Sequence, residues 1–338
     1  MTIRTKHPLS LAQEAGWGEG RLRYFALIGL ALLATDAFAQ AYPSRPIRLV
    51  NTSAAGGTGD TLARAVSALV EKELNTNIVV DNRAGASGII GTEAVTKAEP
   101  NGYTLLQTSS SIVTNAATGR KLPYDIMRDL AQVTNLATAE GYLVLVNPGL
   151  KVSSIKELVA VAKSRNLNYG SPGLGNPIHF MTESLNQRVG TTMTHVPYKG
   201  LAPAIIALLS GELQVLLAPP IATRQYINSG KIRALASVSA KRISAMPDLP
   251  TMEELGYKGF TLLGGWQGWF APAKTSPAIL AKLQQAVAKA VHSEELRPLM
   301  QGGGYVPDGR SPAEFRALFV ADYKRFRELA KTANIKED

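Results

Sequence analysis

The chain has 338 residues, 45% hydrophobic and 18% charged, with a formal net charge of +10 and no cysteine. That length suits roughly two domains of about 150 residues each. The absence of cysteine excludes disulfides, thiolate metal sites, a cysteine nucleophile and a lipid-modified N-terminal cysteine. Lysines and arginines are scattered and do not interleave with aromatics in a basic stripe, so the charge describes a solvated surface that favours anionic solutes, and no nucleic-acid partner is expected.

The first segment reads as an address. In "RLRYFALIGLALLATDAFAQA", Arg21 and Arg23 precede an apolar run from Tyr24 to Ala34, followed by small residues at Ala37, Ala39 and Ala41. This is the pattern of a secretory signal over residues 1–39, removed on export. The run is about a dozen residues where about 20 are needed to span a bilayer, so the mature chain is not expected to be an integral membrane protein.

From residue 42 onward, strand-like runs alternate with helical patterns. Strands are predicted at 47–50, 78–80, 103–107, 143–146, 167–169, 193–196, 213–217, 232–238 and 269–271, and helices at 60–74, 153–164, 178–189, 201–209 and 222–228. In the first helix Leu62, Val66, Leu69 and Val70 share a face, with Asp60 as the expected N-cap. Alternation of this kind predicts an α/β fold with mainly parallel sheets flanked by helices. So many strands suit two sheets. "YLVLVNPG" (142–149) and "GGWQGWFAPA" (264–273) read as crossings between them, assigning 42–142 and 266–338 to one lobe and 143–265 to the other, with the C-terminal helix able to pack across both. Two crossings make a hinge and leave a ligand cleft.

Loops that follow strands are the candidate site. "NTSAAGGTGD" places Ser53, Ala54, Ala55, Gly56, Gly57 and Thr58 between a strand and a helix, where free amides and the positive helix end attract an anion. It lacks the lysine and hydroxyl tail of a nucleotide P-loop and does not match G-x-G-x-x-G. Its glycines can equally serve tight backbone geometry alone. In "NYGSPGLGNPIHF", Ser171, Pro172, Gly173, Gly175 and Asn176 form a neutral anion nest before a helix, and His179 reads more readily as a packed histidine than as a catalyst. Thr108, Ser109 and Ser110 offer hydroxyls after a third strand. "HVPYKG" presents Tyr198 and Lys199 after a fourth. No G-x-S-x-G or H-E-x-x-H is present and the four histidines lie far apart, so no catalytic residue, metal site or cofactor is expected.

Taken together, "YPSRPIRLV", "AAGG" with Asp60, "VVDNRAGASGIIGTEAV", "PNGYTLL", "LPYD", "NYGSPGLGNPIH", "HVPYKG", "GKIRALA", "MPDLPTMEELG" and "WFAPAKTS" resemble the Bug, or TctC-like, periplasmic solute receptors of tripartite tricarboxylate transporters. The resemblance runs from residue 42 to the C-terminus in the family's order. It implies a type II periplasmic-binding-protein fold that closes on a small organic carboxylate and delivers it to inner-membrane transporter subunits. In such receptors the turn matching Ala54–Thr58 reaches one carboxylate, the turn matching Gly170–Asn176 holds carboxylate oxygens, and loops matching Thr108–Ser111 and Tyr198 line the pocket. Many relatives carry Asp-Asn where this chain has Ala218 and Pro219. Without that acid a ligand ammonium lacks its partner, so a dicarboxylate or aromatic carboxylate is expected over an amino acid. A monomeric receptor is the leading expectation. A sensor that presents bound ligand to a signalling protein and a periplasmic hydrolase using Ser171 and His179 are the alternatives.

Overall fold

In the computed structural model, residues 1–2, 42–259 and 265–332 are described, so the expected signal segment lies outside the described residues apart from its first two. Residues 1–44 form one unit and the chain from Arg45 onward another, which carries all the elements below.

Strand β1 (Ile47–Asn51) runs into a glycine turn and then α1 (Thr58–Leu74). Helix α1 buries Leu62, Ala63, Val66 and Val70, a helical stripe, and ends where Asn75 takes a left-handed φ of 49°. Strands β2 (Ile78–Asn82) and β3 (Thr104–Ser109) flank β1 in parallel, Leu49 lying beside Val80 and Leu105. Helices α2 (Ile89–Thr96) and α3 (Ser111–Ala117) precede and follow β3. The ten-residue β4 (Leu130–Ala139) completes this first excursion.

The chain then enters a second sheet through β5 (Tyr142–Val146) and builds it from β6 (Asn168–Ser171), β7 (Thr194–Pro197), β8 (Val215–Ala218) and β9 (Arg233–Val238). Helices α4 (Ile155–Ser164), α5 (Pro177–Val189), α6 (Leu201–Ser210) and α7 (Pro220–Asn228) alternate with these strands. It returns through β10 (Trp266–Pro272), followed by α8 (Pro277–Val291), α9 (Arg297–Gly302), β11 (Tyr305–Pro307) and α10 (Pro312–Thr332). Strand order is β11-β4-β10-β3-β1-β2 in one sheet and β7-β6-β8-β5-β9 in the other.

The two-sheet α/β architecture expected from the sequence is present, but both sheets are mixed. β10 is antiparallel to β3 and β4, and β5 is antiparallel to β8 and β9. The reason is topological. A strand that follows a helix crossover runs parallel to its predecessor, whereas β5 and β10 arrive directly from the opposite sheet and run the other way. These two crossings lie side by side, because the Ala139 amide donates to the Gly265 carbonyl at 2.8 Å.

Trp266 and Phe270 of β10 pack against Phe315 and Phe319 of α10, and Trp266 Nε1 donates to the buried Asp322 carboxylate at 2.7 Å. Phe326 reaches further, to Phe180 of α5, so α10 touches helices belonging to both sheets. Burying such a side chain contributes about 1.5–3 kcal/mol. Among the described residues no helix is long and apolar enough to cross a membrane.

Candidate functional site

The loops at the starts of the helices enclose a cavity of about 70 Å³. From the first sheet come Thr58 and Gly59 at the start of α1, Gly88 before α2, and Ser110 and Ser111 at the start of α3. From the second come Pro177 and Ile178 of α5, Gly200 and Leu201 at α6, and Pro219 before α7. Each helix start carries a partial positive charge of about half an electron and amides without intrahelical partners. The N-cap residues of α1, α2, α3, α6 and α7 supply no side-chain cap, whereas Asn176 caps α5 by accepting from the Ile178 amide at 3.0 Å, and at α3 Ser109 Oγ accepts from the Ser111 amide at 3.2 Å. Among the described residues no lysine, arginine, aspartate or glutamate lines the cavity.

Of the first predicted loop, Ser53, Gly57 and Thr58 line this space. Ala54, Ala55 and Gly56 do not; the Ala54 carbonyl accepts from Gly57 at 3.0 Å, and the Gly56 amide donates to Asp60 Oδ2 at 2.9 Å. Asp60 therefore sits in the first turn and reaches back, while Gly57 occupies the N-cap position expected for it. Burial works to raise the Asp60 pKa, but hydrogen bonds from Gly56, Arg64 and Asn82 outweigh it and hold the carboxyl below its ordinary value. The buried Gln107 fixes the same turn from below: its Nε2 donates to Gly59 O at 2.6 Å and its Oε1 accepts from Trp269 at 2.8 Å.

Ser109 and Ser110 line the cavity, but the buried Thr108 hydroxyl turns to Thr52 at 2.9 Å. Pro172 and Asn176 line it from the second predicted nest. The other nest residues build the loop. Ser171 is wholly buried, its hydroxyl contacting Gly173 O at 2.8 Å and His195 Nε2 at 2.7 Å, and the Gly175 amide donates to His179 Nδ1 at 3.3 Å. The rings of His179 and His195 stack at 4.0 Å. Burial first, and the neighbouring His179 second, lower the His195 pKa to about 3, and burial lowers that of His179 against the pull of Glu183. The pairing of Ser171 with His179 that the hydrolase alternative needs is not formed, since the serine meets His195 and His179 holds the loop amide.

Tyr198 donates to Glu212 at 2.6 Å and does not line the cavity, and Lys199 is exposed. Ala218 is fully buried and does not line it either; Pro219 does.

Ser87, Tyr142, Gln267 and Tyr305 were not anticipated as lining residues. Gly85, Ala86, Ser87 and Gly88 all have positive φ (128°, 46°, 53° and 95°), a conformation costing about 1–3 kcal/mol at each non-glycine position. The turn is pinned by Asn115 Nδ2, which donates to Ser87 O at 3.0 Å, and by Thr92, which donates to Gly88 O at 2.8 Å. So held, Ser87 Oγ donates to Leu174 O at 2.5 Å, joining a loop of the first sheet to the nest of the second. The signal was in the sequence as "NRAGASG", whose clustered glycines mark left-handed backbone.

Three side-chain atoms of lining residues, Thr58 Oγ1, Ser110 Oγ and Gln267 Oε1, are buried without a hydrogen-bond partner. Each unpaired group costs about 1–3 kcal/mol. Two hydroxyl donors at helix starts suit a carboxylate.

The sequence profile described as "Tripartite tricarboxylate transporter family receptor" matches residues 62–335. The chain is 33% identical to BugT of Bordetella pertussis over 323 residues, 93% of this chain and 98% of that protein. A solved R. palustris protein with adipate is 32% identical with a TM-score of 0.84, covering 87% of this chain and 99% of that one. MatC from Rhodopseudomonas palustris with bound malate is 28% identical with a TM-score of 0.80, covering 85% and 99% respectively.

Proposed function

Because this chain belongs to the tripartite tricarboxylate transporter receptor family, we propose that it is an exported periplasmic receptor that binds a small organic carboxylate and hands it to inner-membrane transporter subunits. The observation that carries the ligand class is the cavity wall: converging helix starts and unpaired hydroxyls, with no charged side chain among the described residues. Such a wall supplies only partial positive charge, which suits one or two carboxylates and leaves an ammonium without a counter-charge. Relatives of similar fold solved with adipate and malate support a dicarboxylate. The receptor returns its ligand unchanged, and it acts as a monomer.

In this reading 42–142 with 266–338, and 143–265, are two lobes that turn about the adjoining crossings at 139–142 and 265–266. The Ser87 to Leu174 hydrogen bond then belongs to the closed form. Bound carboxylate bridges helix starts of both lobes and shifts the population toward closure.

Thermal denaturation of the mature chain against mono-, di- and aromatic carboxylates and amino acids tests the proposal. A ligand at 100 times its Kd adds about 2.7 kcal/mol of stability, a readily measured shift. Stabilisation by a carboxylate, followed by its recovery intact, is expected. Stabilisation by amino acids alone would overturn the ligand class, and turnover would overturn the receptor reading.

A further inference from the structure

Gln267 is the lining residue whose chemistry a plain dicarboxylate leaves unanswered. In β10 it lies directly opposite Ser109 of β3 and Ala137 of β4, and Tyr305 of β11 lies opposite Ala139. Directly paired residues of antiparallel strands project to one face, so Ser109, Gln267 and Tyr305 stand on the same side of the sheet, and all three line the cavity. Gln267 is 7% exposed. Burial and Tyr142 raise the Tyr305 phenol pKa well above its ordinary value, with Gln267 acting against them. Ser109 does not serve the Gln267 amide oxygen, because its hydroxyl is engaged with Ser111 Oγ at 2.8 Å. Gln267 Oε1 is left as a buried acceptor with no partner.

An ionised carboxylate is acceptor-only and cannot satisfy a carbonyl oxygen. The remainder of the wall is rich in donors, so this oxygen marks a different requirement. An O–H group meets it at no electrostatic cost. An ammonium also donates, but among the described residues no carboxylate lines the cavity to balance its charge. We propose that Gln267 is a specificity-determining residue that reads a hydroxyl on the ligand, making the preferred ligand class a hydroxycarboxylate. This rests on the carboxylate-receptor reading above and narrows it. A site built to bond a hydroxyl discriminates strongly against the analogue lacking one, because its buried polar group is then left unpaired.

The test is calorimetric titration of the mature chain with matched ligands differing at one group: propionate with lactate, benzoate with 4-hydroxybenzoate, and succinate with malate and aspartate. In at least one set the hydroxylated member is expected to bind tenfold or more tightly than its parent, with malate also ahead of aspartate if the four-carbon diacids bind. In Gln267→Leu, or Gln267→Met should the first fold poorly, that ratio is expected to fall to within about twofold; the ratio within each protein is the readout. Carboxylates that bind with no hydroxyl preference in any set would overturn the inference and leave the receptor reading standing. Aspartate binding as tightly as malate would overturn it too, as would a preference that survives both variants. If no carboxylate binds, the receptor reading and the inference fall together.

Discussion

Gly173→Ala separates what the nest costs to fold from what it contributes to closure. Gly173 has a φ of 138°, and an added Cβ would lie 2.4 Å from Ser87 Oγ, 3.3 Å from Ser87 N and 3.5 Å from Ser87 Cα. The backbone term, about 1–3 kcal/mol for a non-glycine residue in that region, is present whether the cleft is open or closed. It therefore lowers stability toward denaturant. The second term exists only when the loops meet: Ser87 Oγ must swing away from Leu174 O, forfeiting a hydrogen bond of about 0.5–1.5 kcal/mol. Affinity for a closing ligand should fall by about 2- to 13-fold on that account. Ser87→Ala removes the same hydrogen bond and the clashing oxygen together, without the φ penalty at residue 173. Calorimetric Kd values and urea midpoints for wild type, both single variants and the double variant complete a cycle. The affinity losses should be strongly less than additive, because once the oxygen is gone the alanine at 173 has little left to displace. The stability loss should follow Gly173→Ala in both backgrounds. Additive affinity losses, or full affinity in Gly173→Ala despite its lower stability, would refute the assignment of this contact to closure.

Ser110→Ala should weaken carboxylate binding by about 1.5–3 kcal/mol, the worth of a hydrogen bond to a charged group, while leaving the unliganded protein as stable as before or more so, since an unpaired buried hydroxyl is removed. Lys199→Ala, at an exposed position off the cavity wall, should alter Kd less than about twofold, which calorimetry on both variants checks. The histidine pair should make the fold acid-sensitive. His179 and His195 both have native pKa values below the ordinary one, so below about pH 6.5, and down to about pH 3 for His195, the unfolded chain binds protons that the native state resists, and stability falls as pH falls. Going from pH 6.5 to 5.5 should cost less than about 1 kcal/mol at His195, whose partial exposure screens the effect. Urea midpoints for His195→Gln should show a shallower fall over that range than wild type; parallel curves would refute it.

The α/β alternation, the two crossings and the strand–helix loops were legible because they rest on local rules: hydrophobic periodicity, glycine at strand ends, and the absence of a P-loop lysine. Strand β4 was not legible. Its Gln132, Thr134 and Asn135 are buried on a strand covered on both faces, so no polar and apolar alternation marks it. Sheet direction was misjudged for a related reason, since whether a strand arrives by a helix crossover or from the opposite sheet is a property of the whole path. At the cavity, the sequence by itself determined the starts of α1, α5, α6 and α7 to within two residues but not those of α2 and α3, and an amide at a first turn is available whatever surrounds it. Only tertiary structure decided which side chains face inward. Tyr142, Gln267 and Tyr305 come from crossings and a short edge strand far apart in the chain, and strand register and packing bring them to one wall. The same packing turns Thr108, Tyr198 and Ala218 away, because a side chain's direction depends on the partner its strand or loop finds.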